Sequence, residues 1–132
     1  MILQDCDKEA LNLDVFAAVA TSPGAIANTY VHKGHILGVH GYYQMWPGVV
    51  EIFIVPSIYF FKYPKHILKW STLEFDKVKN NNSIHRIQTT CLDQHDRRRF
   101  LEYFGFKCEG TLKQYTKNRE DYKMYAWVRG EQ

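Results

Sequence analysis

Cysteine is scarce in this sequence of 132 residues: Cys6, Cys91 and Cys108 form an odd, dispersed set with no Cys-x-x-Cys spacing. That pattern excludes a disulfide framework and a structural zinc site, and it fits a reducing compartment. No uninterrupted apolar run reaches the ~18 residues that a membrane-spanning helix needs. The first ten residues lack the basic-then-apolar order of a secretory signal. A cytoplasmic chain with no membrane is therefore expected. Low-complexity segments, repeats and composition shifts are missing too, so 1–132 reads as one domain, within the usual range of about 50–250 residues. Charge of either sign is in little excess, with 17 Lys+Arg against 14 Asp+Glu and a net +3. A dedicated nucleic-acid binder carries more, which leaves nucleic acid a secondary candidate partner. None of the six His lies in a His-Glu-x-x-His or a helical His-x-x-x-His arrangement, and no metal site is expected.

What the sequence does hold is bulk. Hydrophobic residues make up 45% and aromatics 15%, enough for a core and too much for intrinsic disorder. Asp5 or Asp7 is placed to cap a helix over about 8–20, with Leu11, Val15, Phe16 and Val19 at helical spacing. Residues 25–33 and 35–46 read as a strand pair around His32-Lys33-Gly34, and Pro47-Gly48 as the next turn. Val49–Val55 is the clearest strand. Both its faces are apolar except at Glu51, which predicts a place in the middle of a sheet, covered on both sides. Pro64 opens a helix through about Lys79, with Ile67, Leu68, Ser71, Phe75 and Val78 along one side. Residues 84–91 read as a further strand. Asp93 or Gln94 then begins a helix over about 95–104 that stops at Gly105, a position suited to the left-handed conformation. Strands near 107–116 and 121–129 close the chain around a polar turn. The order predicts an α+β (α/β) fold, a mixed central sheet of about six strands flanked by three helices.

Several residues carry chemistry. Glu51 puts a carboxylate into an apolar strand, an arrangement that costs energy unless the group is paired or serves as a base. Both readings stay open, a general base and a structural carboxylate paired with Arg or Lys. Lys62 and Lys65 flank a helix start, where they form either an exposed, solvated pair or a contact for an anion. Arg97, Arg98 and Arg99 sit in the first turn of a helix and oppose its dipole. A solvated face or an anionic partner accounts for them. Cys91 reads as a small buried apolar residue. Tyr59, Phe60, Phe61 and Trp70 either fill a cleft or present an apolar contact surface.

The run from Phe100 to Gly110, with Gly105-Phe106 and Glu109-Gly110, is followed by Asp121-Tyr122-Lys123-Met124-Tyr125. Together these resemble the C-terminal signature of the GNAT superfamily of N-acetyltransferases, in which a helix ends in Gly-Phe and a strand with Glu-Gly follows. Val49–Pro56 resembles that family's central strand, and His85-Arg86-Ile87 the opening of the next one. In order and spacing the likeness covers about 25–129.

The resemblance implies an acetyl-CoA cofactor, an amine substrate and acyl transfer, with the pantetheine arm threaded between two separating parallel strands. It implies Glu51 as base, the backbone of Phe53, Ile54 and Val55 on pantetheine, and Lys62 and Lys65 near the phosphates. The family's helix-start asparagine falls on Gln94. Its tyrosine acid falls on Leu101, with Tyr103 two residues further on as the candidate for that role. The family's glycine-rich phosphate loop has no counterpart, since 57–66 contains no glycine and Pro64 removes one N–H. A weaker likeness, in size and in the missing loop, is to GNAT-like internal virion proteins of short-tailed bacteriophages. It implies a catalytically silent module that binds a protein partner in the host cytoplasm or the virion.

Overall fold

The computed structural model describes residues 24–131, and the helix expected over 8–20 lies outside them. A hairpin comes first: strand β1 (Ile26–His32) pairs antiparallel with β2 (His35–Trp46). The two residues between them have positive φ, 52° at Lys33 and 78° at Gly34, the sense of turn that matches the strand twist. β2 pairs antiparallel with β3 (Val49–Pro56), after which a short 3-10 turn (Phe60–Lys62) leads into helix α1 (Pro64–Lys79). Pro64 takes the first helical position, where a missing N–H costs nothing. Strand β4 (Arg86–Leu92), helix α2 (His95–Tyr103) and strands β5 (Lys107–Leu112) and β6 (Tyr122–Val128) complete the chain.

The six strands lie in the order β1-β2-β3-β4-β6-β5, and β3–β4 is the one parallel pair among them. This is the mixed α+β sheet that the sequence predicts, with Val49–Pro56 in its middle. Two boundaries differ. The strand expected from 84 begins at Arg86, because Ile84 donates back to Asn81 while His85 and Arg86 both donate to the Gly48 carbonyl. The strand expected to reach 116 stops at Leu112, where Gln114 turns to a φ of 50° and Tyr115 donates to the Glu120 carbonyl.

Alternation along the strands divides the core. Val50, Ile52 and Ile54 of β3 join Ile67, Trp70, Phe75 and Leu101 beneath the two helices. Val49, Glu51, Phe53 and Val55 therefore face the other side of the sheet. Two glycines make this packing feasible. At Gly38 a Cβ would stand 3.1 Å from the Phe60 ring on the helix side, and at Gly41 one would run into the Phe53 ring on the far side. Helix α2 ends as expected: Gly105 has a φ of 86°, its N–H donates to Glu102, and that of Phe106 donates to Leu101.

Candidate functional site

The parallel contact between β3 and β4 is short. It consists of Val49–Arg86, Val50–Ile87 and Glu51–Gln88, and beyond that last pair the strands separate. The Thr89 hydroxyl bridges the start of the gap by donating to the Ile52 carbonyl at 3.1 Å. That bond shows which way the backbone of Ile52 faces. Two residues on, the N–H and C=O of Ile54 face the same way, into the gap, while Phe53 and Val55 turn theirs towards Gly41 and Val39 of β2. All three side chains are buried. Of the three residues named for an extended ligand, Ile54 is the one whose peptide groups border the gap.

Glu51 stands where the pairing ends. Its carboxylate is half-buried on the face away from the helices and accepts a hydrogen bond from the Tyr43 hydroxyl at 2.6 Å. Gln88 donates to its other oxygen at 3.3 Å. The Tyr43 hydroxyl is pushed well above its ordinary range by burial, reinforced by the bond to Glu51. Gln88 in turn accepts from Arg86 Nε at 2.9 Å, and Arg86 grips Glu109 with its two terminal nitrogens, Nη1 and Nη2, at 2.9 and 2.6 Å. Arg86 is thus engaged with Glu109, and no Arg or Lys among the described residues is paired with Glu51. Hydroxyl and amide groups hold Glu51 instead.

The segment after β3 builds a closed turn where the family carries its glycine-rich loop. The Ser57 hydroxyl donates to the Ile36 carbonyl, with the Leu37 carbonyl at 3.0 Å, and accepts from the Tyr59 N–H at 3.1 Å. Phe60 N–H donates to Ser57, Lys62 N–H to Tyr59, and Ile67 N–H to Tyr63. Within this turn the amides of Ser57, Tyr59, Phe60 and Lys62 are engaged internally, and Pro64 has none to offer. Lys62 and Lys65 are both exposed beside this turn, and the Lys62 ammonium lies 5.1 Å from the centre of the Tyr59 ring. Above the turn is a recess of about 130 Å³ lined by Phe60, Phe61, Pro64, Ile67, Leu68 and Phe100. Phe60 and Phe61 therefore do border a cleft. Trp70 does not: it is buried under the hairpin, stacked on Tyr30 at 5.0 Å.

Helix α2 places the remaining candidates. Gln94 is its N-cap residue, exposed, with no side-chain bond to the helix amides. Leu101 is fully buried, while Tyr103 is 67% exposed and meets the edge of Phe104. Because α2 covers the face opposite Glu51, the structure does not bring Tyr103 and Glu51 together. The arginine run splits. Arg98 pairs with Asp93 at 3.2 Å and Arg99 is exposed, as a solvated face requires. Arg97 departs from that expectation: it turns inward, 3% exposed, with its guanidinium 5.6 Å from the Phe61 ring. Cys91 is fully buried, and burial pushes its thiol up to about 11, so it stays protonated.

Tyr43 and Gln88 are site residues that the sequence did not single out. Each is the direct cross-strand neighbour of Glu51, and only the register reveals them. His40, opposite Ile54 on the helix face of β2, is a buried imidazole between Trp70 and Phe75, outside this group.

No family model matches the chain, and no curated protein matches it in sequence. Solved structures do match in fold. A GNAT-family protein of Chromobacterium violaceum superposes with a TM-score of 0.71 at 21% identity, over 90% of this chain and 67% of the other. An N-acetyltransferase of the same family from Brucella melitensis gives 0.66 at 21% identity, over 88% of this chain and 57% of that one. An aminoglycoside 6'-acetyltransferase type Ii gives 0.61 at 14% identity, over 90% and 77%. The chain spans little more than half the length of the Brucella protein. The fold is GNAT-like; the likeness to internal virion proteins gains no support from these structures. Among the described residues no helix is long and apolar enough to cross a membrane.

Proposed function

We propose that the chain is an N-acyltransferase that moves an acyl group from a pantetheine thioester to an amine. The observation that carries this reading is the early end of the β3–β4 ladder, which leaves the Ile54 peptide groups facing a gap with Glu51 at its narrow end. Peptide groups in that setting need partners, and an extended amide-bearing arm supplies them as a further strand would. The pantetheine part of acetyl-CoA thus fits the residues present. Its pyrophosphate fits poorly, because the amides of Tyr59, Phe60 and Lys62 are already engaged.

When bound, the thioester supplies an activated carbonyl carbon. Glu51 takes the proton of the attacking amine, and Tyr43 and Gln88 fix the orientation of its carboxylate. Ile54 lines up the arm. Lys62 and Lys65 offer charge to its phosphate end in place of loop amides. Gln94 borders the gap from the start of α2. Tyr103 lies on the solvent side of α2 and receives no step here.

Calorimetric titration with acetyl-CoA and with S-acetyl-pantetheine tests the reading. Saturable binding of either supports it, and no heat from both at millimolar concentration ends it. A second reading, a silent GNAT-like module that acts by protein contact, draws on the closed turn at Ser57–Lys62. It would be favoured by that negative titration together with a protein that co-purifies at fixed stoichiometry.

A further inference from the structure

The mouth of the gap, where β3 and β4 end and α1 and α2 begin, is lined by cations on its β3 side. On the β3 side, Lys62 and Lys65 follow the strand directly, with Lys69 one turn further along α1. The tip of the β1–β2 hairpin joins them through stacked rings: His32 lies 4.0 Å from His66, and His35 lies 4.1 Å from Tyr59. These contacts bring Lys33 at the hairpin tip to the same surface. From Ile52 to Leu73 the sequence holds no acidic residue, and the first turn of α1 has none. The acids of this end, Asp93, Asp96 and Asp121, all sit on the β4 side, where Asp93 is paired with Arg98 and Asp121 accepts from the Gln114 amide.

Three features of one mouth bear on the donor. The amides of Tyr59, Phe60 and Lys62 are engaged inside the turn. An apolar recess of about 130 Å³ stands above that turn. And the cationic surface continues past Lys62 and Lys65, across the hairpin tip at Lys33 and along the exposed side of α1 at Lys69. We propose that the acyl donor is carried on the 4'-phosphopantetheine arm of an acidic carrier protein, which docks on the surface formed by Lys33, Lys62, Lys65 and Lys69. This rests on the acyltransferase reading above and narrows its donor.

The parts of such a donor match the mouth in order. From Glu51 to Pro56 the strand rises about 17 Å at about 3.3 Å per residue, the reach of an extended arm. The thioester then lies at Glu51, the arm's amides at Ile54, and its branched methyl groups in the recess lined by Phe60, Phe61 and Leu68. Its single phosphate reaches Lys62 and Lys65, and the acidic protein lies beyond. In the transfer the amine nitrogen forms the C–N bond, the C–S bond breaks, and the amine proton passes through Glu51 to the departing sulfur. The carrier leaves as a free thiol and nothing is oxidised or reduced.

The test uses the full chain and four probes: acetyl-loaded acyl carrier protein, the same carrier without its arm, acetyl-CoA and S-acetyl-pantetheine. The loaded carrier is expected to bind at least tenfold more tightly than acetyl-CoA, with an affinity that falls as salt is added. Acetyl-CoA is expected to exceed S-acetyl-pantetheine only by what Lys62 and Lys65 add at its phosphate end, and so to stay well below the loaded carrier. Lys33→Glu with Lys69→Glu is expected to weaken the loaded carrier more than tenfold and to leave S-acetyl-pantetheine unchanged, which also shows that the variant is folded. Acetyl-CoA binding as tightly as the loaded carrier overturns the proposal while the acyltransferase reading stands. Equal binding of the carrier without its arm overturns it too, as does tighter binding of a single-stranded oligonucleotide to the same surface. If no pantetheine thioester binds in any form, the acyltransferase reading itself has failed.

Discussion

His40 makes the fold sensitive to acid in a way that can be calculated. The imidazole is 2% exposed, edge-on to Trp70 at 5.1 Å and to Phe75 at 4.9 Å, and its Nε2 has no hydrogen-bond partner among the described residues. Burial disfavours the imidazolium, with Lys77 adding to the effect, and lowers the pKa from 6.5 to about 3. A proton therefore binds the unfolded chain more readily than the folded one. The stability associated with this group is whole above pH 6.5, is lost as the pH falls, and is gone near pH 3. At pH 5 the folded chain still holds the ring neutral, so the loss there depends on the unfolded value alone. One and a half units at about 1.4 kcal/mol each give about 2 kcal/mol. Urea unfolding of the wild type and of His40→Leu, followed by tryptophan fluorescence at pH 7.5 and pH 5.0, isolates the group, because every other titration is common to both. At pH 7.5 the variant should match or exceed the wild type, since it removes an unsatisfied buried nitrogen. At pH 5.0 the difference between them should shift by about 2 kcal/mol in favour of the variant. An equal difference at the two pH values would refute the assignment of His40 as a buried neutral base.

Other perturbations read other links. Gly41→Ala drives a Cβ into the Phe53 ring and to 2.6 Å from the Ile26 carbonyl, so a loss of about 1–3 kcal/mol is expected from thermal unfolding. A variant as stable as the wild type would mean that the far face packs loosely. Glu51→Gln should lower the acyl-transfer rate about 10²-fold or more while donor affinity stays within twofold, and a parallel loss of both would place Glu51 in binding rather than proton transfer. Arg86→Met breaks the grip on Glu109, whose side chain is 41% exposed, and should cost less than about 1 kcal/mol in denaturant titration. Gly105→Ala forces a Cβ onto a φ of 86° at the end of α2 and should cost about 1 kcal/mol.

The elements that the sequence showed plainly are those with a strong local signal. Val49–Pro56 is apolar at nearly every position and occupies the middle of the sheet. Pro64 opens α1 and Gly105 closes α2 because each residue has a backbone preference that no neighbour overrides. One boundary that moved was set by a contact distant in sequence. Arg86 begins β4 because the Gly48 carbonyl holds both His85 and Arg86, and nothing within 84–91 announces that. Arg97 turned inward for the same kind of reason. Its helix position suggested solvent, while the Phe61 ring, more than thirty residues earlier, gives the guanidinium a flat surface to cover.

For the site, residue type was legible and partnership was not. A lone glutamate in an apolar strand marks itself, yet the groups that hold it belong to β2 and β4, and a shift of register by one residue would have put Tyr43 and Gln88 on the opposite face. The missing glycines after β3 carried more than an absence. A glycine-free stretch still has amides, and whether they are free for an anion depends on where they bond. Ser57 settles that here, since its hydroxyl and carbonyl capture the amides of Tyr59 and Phe60 and fold the segment on itself. Replacing Ser57 by Ala removes the hydroxyl that joins the Ile36 and Leu37 carbonyls to the Tyr59 amide. If the closed turn is what excludes a pyrophosphate, Ser57→Ala should raise affinity for acetyl-CoA relative to S-acetyl-pantetheine. If the two thioesters keep their ratio, the turn is not the determinant, and the phosphate end of the donor must be selected by Lys62 and Lys65 alone.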